Sequence, residues 1–226
     1  MTIFFDFDST LVSKESLDEV IALALADSPD RIEQTEAVAA ITDKGMEGAI
    51  PFTESVRQRL AVAPVTHQHF EAIGKELCEH ITPRMAELCA ELIERGHEVY
   101  IISGGFKTSI LPVAKLLGVH ADNVWANTYT TDQSGVLTGV DTDNPCFTDF
   151  GKSPVIEAIV RKNAPPRPYV MVGDGANDLA AFESDAVDHF CGFAGNKART
   201  VILERAPRVA YTTSELRDFL FSEVAV

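Results

Sequence analysis

Ile3-Phe4-Phe5-Asp6-Phe7-Asp8-Ser9-Thr10-Leu11 is a short β-rich apolar run that breaks into two aspartates two residues apart. In a strand, period two puts the side chains of Asp6 and Asp8 on the same side. Two carboxylates then meet at the carboxyl end of a buried strand, where open α/β sheets bind ligands. A carboxylate pair at such a place can divide labour, one attacking as nucleophile and the other passing protons. On local grounds the same residues also make a capped turn with two solvated acids.

Working outward, further β-rich runs occur at 99–102, 169–172, 189–191 and 209–211, separated by helical patterns or longer connections. This spacing predicts an α/β protein with a Rossmann-like parallel sheet. The clearest helix has Thr82 as N-cap, Pro83 at its first position and Gly96 as its stop. Another starts near Ser153 with Pro154 inside it, and a third at Thr212 with Glu215 completing a capping box. Residues 124–140 read as a hairpin turning near 132–135. Between the first strand and Thr82, four segments (16–26, 29–44, 52–61 and 66–79) read helical with no convincing strand. A βα connection takes 2 to 6 residues, so residues 13–80 are expected to form an inserted helical domain over the end of the first strand. Residues 1–12 and 81–226 would then form the α/β core.

Three other constellations fall at the predicted sheet end. The run 169–172 leads into Gly173-Asp174-Gly175-Ala176-Asn177-Asp178, hard oxygen ligands on a turn that suit Mg²⁺, or an Asx-type turn capping a helix. Val99 to Ile102 leads into Ser103-Gly104-Gly105, a hydroxyl followed by accessible amides that can cradle an anion, or a glycine turn with a serine cap. Lys152 sits at a helix start, where the dipole disfavours a cation. It needs compensating anions such as carboxylates and a phosphoryl group, unless it is simply exposed.

Composition narrows the function. Nineteen Lys and Arg stand against 34 Asp and Glu, a formal charge of -15, which repels nucleic acid and anionic membranes. No uncharged run exceeds residues 60–70, short of the ~20 apolar residues a membrane span needs. The first residues lack the basic start of a secretory signal. Cys78, Cys89, Cys146 and Cys191 are scattered without a C-x-x-C, so neither a zinc site nor a disulfide scaffold is expected, and a reducing cytoplasm is the default.

The order Asp-x-Asp, Ser, Lys, Asp-x-x-x-Asp is similar to that of the haloacid dehalogenase superfamily of phosphohydrolases. Asp8 argues against its dehalogenase branch, which lacks the second aspartate. More narrowly, residues 6–16, 46–60, 102–106, 151–152, 173–178 and 192–196 resemble the phosphoserine phosphatases over nearly the whole chain. The resemblance implies a sheet core with an inserted helical-bundle cap. It implies Asp6 as nucleophile and Asp8 as acid and base, with Ser103, Gly104, Gly105, Lys152 and Asn177 around the phosphoryl group. Mg²⁺ would be held by Asp6, the Asp8 backbone carbonyl and Asp174, with Asp178 supporting. It further implies Glu15 on the ammonium of O-phosphoserine and Arg59 on its carboxylate, with Met46 and Phe52 as apolar walls. From the residues alone, Glu15 could equally serve a helix start, and Arg57 and Arg59 a solvated face. Another small phosphomonoester, transfer to an alcohol such as homoserine, and a non-catalytic Mg²⁺- or phosphate-binding protein remain as alternatives. Oligomeric state is unreadable.

Overall fold

The computed structural model describes residues 1–224. Six parallel strands form one sheet: β1 (Thr2–Phe5), β2 (Glu98–Phe106), β3 (Val124–Asn127), β6 (Tyr169–Gly173), β7 (His189–Phe193) and β8 (Val209–Ala210). Their order is β3-β2-β1-β6-β7-β8. The chain runs outward from β1 through β2 to β3, then returns to the other side of β1 at β6. That reversal opens a crevice between the carboxyl ends of β1 and β6. Since β1 is central, all four of its residues are buried, which explains a continuous apolar run without polar alternation.

Alternate residues of the sheet feed two cores. Ile3, Phe5, Ile101 and Val172 pack with α5 (Met85–Glu94), α6 (Lys107–Leu116), α10 (Thr213–Asp218) and the insert. Phe4, Tyr100 and Met171 pack with α7 (Ser153–Asn163) and α8 (Ala176–Glu183) on the other face.

The insert comprises α1 (Ser16–Ala24), α2 (Arg31–Met46), α3 (Phe52–Leu60), α4 (His67–Glu76) and a 3₁₀ turn, Leu77–His80. The chain leaves and re-enters the core through an antiparallel bridge, Val12 to Ile81. Helix α4 lies against α6: a Cβ on Gly74 would come 3.0 Å from Ser109 Cα, and Phe70 meets Phe106 at a 5.0 Å ring separation. Phe70 is buried, so Phe70→Ala would cost about 3–5 kcal/mol.

Several local expectations need correction. Residues 124–127 do not join the hairpin; they form the outer parallel strand β3, and the hairpin is β4 (Tyr129–Thr131) with β5 (Leu137–Val140). Thr82 does not cap α5. Its hydroxyl donates to the Thr10 carbonyl at 2.7 Å, and the chain turns into the helix at Arg84, φ 63°. Helix α7 does start at Ser153, with Lys152 in its N-cap position. At α10, Thr212 caps as expected, but the Glu215 carboxylate accepts from Tyr211 N rather than closing a box. Ser103-Gly104-Gly105 lies inside the irregular end of β2, ahead of α6.

Candidate active site

After β1 the backbone enters a tight turn, Phe7–Leu11, with Ser9 at φ 52°. The Asp6 amide donates to the Val172 carbonyl at 2.8 Å, which stitches Asp6 to the strand that delivers Asp174. Asp6 is 5% exposed and Asp174 fully buried. Asp178, on the first turn of α8, reaches back so that its Oδ2 accepts from the Gly175 amide at 3.0 Å. Asp6, Asp174 and Asp178 each offer a carboxylate oxygen within 4.8 Å of the others.

Lys152 is the cation between two of these carboxylates, contacting Asp6 and lying 2.6 Å from Asp178 Oδ1. Burial acts to lower its pKa, but Asp178 and Asp6 hold it above the usual lysine range. Burial pushes the Asp6 carboxyl up to about 7, with Lys152 opposing and Asp178 reinforcing. Asp174 is raised by burial against the attraction of Arg199. Buried oxygens remain unpaired: Asp6 Oδ2 and Asp174 Oδ1 have no hydrogen bond, and Asp178 Oδ1 faces Lys152 without hydrogen-bond alignment. Orphaned hard oxygens converging in one place are costly unless something binds them. Their chemistry fits a divalent cation.

Asp8 stands apart from that cluster. Its carboxylate accepts from Ser16 N at 2.9 Å and Ser16 Oγ at 3.0 Å, at the first residue of α1. Burial, then Glu15 and Asp6, push the Asp8 carboxyl well above the ordinary carboxylate range. Ser103 is buried, and its hydroxyl accepts from the Gly105 amide at 2.9 Å, so that amide is already engaged and is not a free anion donor. The Asn177 carbonyl accepts from Lys152 N at 3.2 Å.

The insert closes over these groups. Asp6, Asp8, Ser103, Gly104, Gly105, Lys152, Asn177 and Asp178 from the core face Glu15, Leu17, Met46, Phe52 and Arg59 from the insert. Two glycines permit the approach: a Cβ on Gly104 would lie 2.3 Å from Phe52 Cζ, and one on Gly175 2.7 Å from Met46 Cε. The space open to the centre of a water between the two sides is only ≈ 40 Å³, room for about three waters.

Arg59 is 6% exposed. Its Nε donates to Ser55 O, and Nη1 donates to Asp18 Oδ1 and Thr42 Oγ1, each at 3.1 Å. Among the described hydrogen bonds none uses Nη2. Arg57, two positions away, is exposed and lies over the Phe147 ring. Glu15 is less free than its sequence reading implies, since its Oε1 accepts from Ser9 Oγ at 2.8 Å and Arg199 Nη2 at 2.7 Å.

Arg199 is the charged residue of the site that sequence reasoning does not find. It is 2% exposed, and its Nε also donates to Asp174 Oδ2 at 2.7 Å. A signal existed: Lys197 and Arg199 follow the strand ending at Phe193, so they emerge at the same acidic sheet end and are its natural counter-ions.

The model of the haloacid dehalogenase-like hydrolase family matches residues 3–183. The human phosphoserine phosphatase is 32% identical over 202 residues, 89% of this chain and 85% of that protein. The phosphoserine phosphatase of Methanocaldococcus jannaschii is 31% identical over 96% of this chain and 95% of its own. Among solved structures, a phosphoserine phosphohydrolase-like protein from Francisella tularensis superposes with a TM-score of 0.89 at 29% identity, covering 97% and 99% of the two chains. A substrate-bound phosphoserine phosphatase complex gives 0.79 at 29% identity, covering 97% and 96%. With an acidic cluster at the β1/β6 crevice, a lysine between two of its carboxylates and a helical insert above, the chain belongs to the haloacid dehalogenase-like hydrolases and, within them, to the phosphoserine phosphatase family.

Proposed function

We propose that this chain hydrolyses O-phospho-L-serine to L-serine and phosphate through a covalent aspartyl-phosphate on Asp6, with residues 13–80 acting as the cap that selects the substrate. One observation carries the reading: one cavity between core and insert joins a buried carboxylate cluster with its lysine to an insert arginine that has an uncommitted donor edge. Phosphoserine matches both halves, a phosphoryl group for the core and a carboxylate for Arg59 Nη2. Glu15 Oε2 remains for the ammonium, since Oε1 is engaged.

Asp6 attacks phosphorus in line and forms the new O–P bond while the bond from phosphorus to the seryl oxygen breaks. Asp8, whose raised pKa keeps a proton available, gives that proton to the departing oxygen. Ionised Asp8 then takes a proton from water, and the hydroxide attacks phosphorus, freeing Asp6 and inorganic phosphate. Lys152 and the Ser103 hydroxyl stabilise the phosphoryl oxygens, while Asn177 holds the loop beside them. Mg²⁺ suits the Asp6, Asp174 and Asp178 carboxylates, with the Asp8 backbone carbonyl the further ligand that the family resemblance implies; when bound it would neutralise charge on the phosphoryl oxygens. The four thiols are all free, with burial pushing Cys89, Cys146 and Cys191 up to about 12, which suits a protein of the reducing cytoplasm.

The test is release of inorganic phosphate from phosphoserine, phosphothreonine, other phosphorylated metabolites and an aryl phosphate, with and without homoserine. A kcat/KM for phosphoserine at least tenfold above the rest supports the reading. Preference for another ester overturns the substrate, phosphohomoserine formation makes the enzyme a transferase, and no turnover of any ester leaves a binding protein.

A further inference from the structure

A cavity of ≈ 40 Å³ cannot admit an amino-acid phosphate, so the insert must move before substrate enters. What resists that movement can be read from the segment after β7. At its start Asn196 is a fixed point. Its Nδ2 lies within hydrogen-bond distance of Ser9 O, Thr10 O, Val12 O and Thr82 Oγ1, at 2.7–3.4 Å. These are the two crossings where the insert leaves and rejoins the core.

The next five residues hold the far end of α2 instead. Lys197 contacts Asp43, and Arg199 Nη1 reaches the same carboxylate at 3.2 Å. The Thr200 and Val201 amides donate to the Glu47 carboxylate at 3.1 and 3.2 Å. Lys197 and Arg199 hold the Asp43 carboxyl below its usual range, although burial acts to raise it. Arg199 itself is anchored in the core by buried Asp174. The contacts differ in kind: those of Asn196 are partly buried and neutral, whereas the latch is open at its outer end, where the Asp43 and Lys197 side chains are 50% and 39% exposed, Arg199 alone being buried. Exposed ion pairs are weak and screened by salt, so they can break and re-form while the pivot holds.

We infer that residues 196–201 form a pivot and an electrostatic latch, in which Lys197 and Arg199 on Asp43, with the Thr200 and Val201 amides on Glu47, hold the insert closed over the cavity. Asp43 and Glu47 are positioning residues. They line no part of the cavity, and they act by keeping Phe52, Met46 and Arg59 seated on substrate. The need for movement and the kinetic consequence rest on the phosphoserine phosphatase reading; the latch contacts and their effect on exchange do not.

The experiment therefore has two arms on the full chain carrying Asp43→Asn with Glu47→Gln. The first arm needs no activity. Thr53 is the second residue of α3, so its amide has no partner within the helix. It donates to Asp149 across the opposite edge of the cavity at 2.8 Å. If the latch holds the insert, amide exchange at Thr53 should rise severalfold, while the Ser13 and Thr82 amides at the crossings, bonded to His80 O and Leu11 O, keep wild-type rates. Unchanged exchange at Thr53, or equal acceleration at all three amides, overturns the latch.

The second arm is kinetic. KM for phosphoserine should rise about three- to tenfold with kcat not reduced. Raising salt should bring wild-type KM toward that of the variant while moving the variant little. A kcat that falls with unchanged KM, or identical salt dependence, also overturns it. A wild-type chain inactive on phosphoserine would remove the substrate reading and leave the exchange result standing.

Discussion

The two walls of the cavity are built on opposite principles. On the core side, Asp6, Asp174 and Asp178 are crowded, buried and incompletely paired, and burial drives Asp6 and Asp174 toward the protonated form. On the insert side, Arg59 is already satisfied on one edge by Asp18, Thr42 and Ser55 and keeps only its outer edge open. On the proposed reading, chemistry falls where the fold leaves charge unsatisfied, and recognition where a charge is held still and mostly paired. A site that must bind a cation and attack phosphorus gains from reactive carboxylates, at a cost in stability. One that must measure a carboxylate gains from a rigid donor.

The contrast breaks most sharply at Asp6. Asp6→Asn should lower phosphatase turnover on the order of 10⁴-fold or more in steady-state assays, whatever the ester. Activity near wild type would remove the nucleophile. Asp8→Asn should cost about 10²–10⁴-fold, again on every substrate, because both the leaving oxygen and the attacking water lose their proton carrier.

On the insert side the loss should be smaller and selective. Arg59→Ala should lower kcat/KM for phosphoserine about 10- to 100-fold, the worth of a charge-assisted hydrogen bond, and spare an aryl phosphate that has no carboxylate. Equal losses on both esters would make Arg59 structural and erase the distinction between the walls.

The smallest effect concerns stability and pH. In the metal-free protein Asp6 titrates near 7 rather than at its ordinary 3.8. The stability that this carboxyl contributes is therefore complete below about pH 3.8 and lost as pH rises through 7. Metal-free Asp6→Asn should melt a few degrees above wild type at pH 8, with the gap closing near pH 4. By the same linkage, Mg²⁺ must displace a proton below pH 7, so its affinity should weaken as pH falls; titration calorimetry in buffers of different ionisation heat reads both.

The correct and incorrect sequence expectations separate by the range of the interaction involved. Gly96 ends α5 as expected, at φ 78°, because a left-handed stop is a local requirement that glycine meets alone. Thr82 failed as a cap because its hydroxyl was taken by Thr10 and Asn196, residues 72 and 114 positions away. That Val124 to Asn127 joins β2 and not the hairpin cannot be read locally, because four residues carry no mark of whether their partner is the next segment or β2. The engagement of Glu15 is not legible in sequence because nothing near it in the chain announces Arg199, 184 residues downstream.

The alternation of strands and helices, the helical insert, and the acids, hydroxyl and lysine at the sheet end are legible in the residues alone, since periodicity and strand termini are local properties. How those charges are shared is a matter of the folded chain. Lys152 stands between Asp6 and Asp178, Arg199 ties Asp174 to the insert through Glu15 and Asp43, and the insert sits low enough to leave ≈ 40 Å³. Ion pairing and desolvation depend on distance in space, and distance in space between residues far apart in the chain exists only once the sheet has closed its crevice.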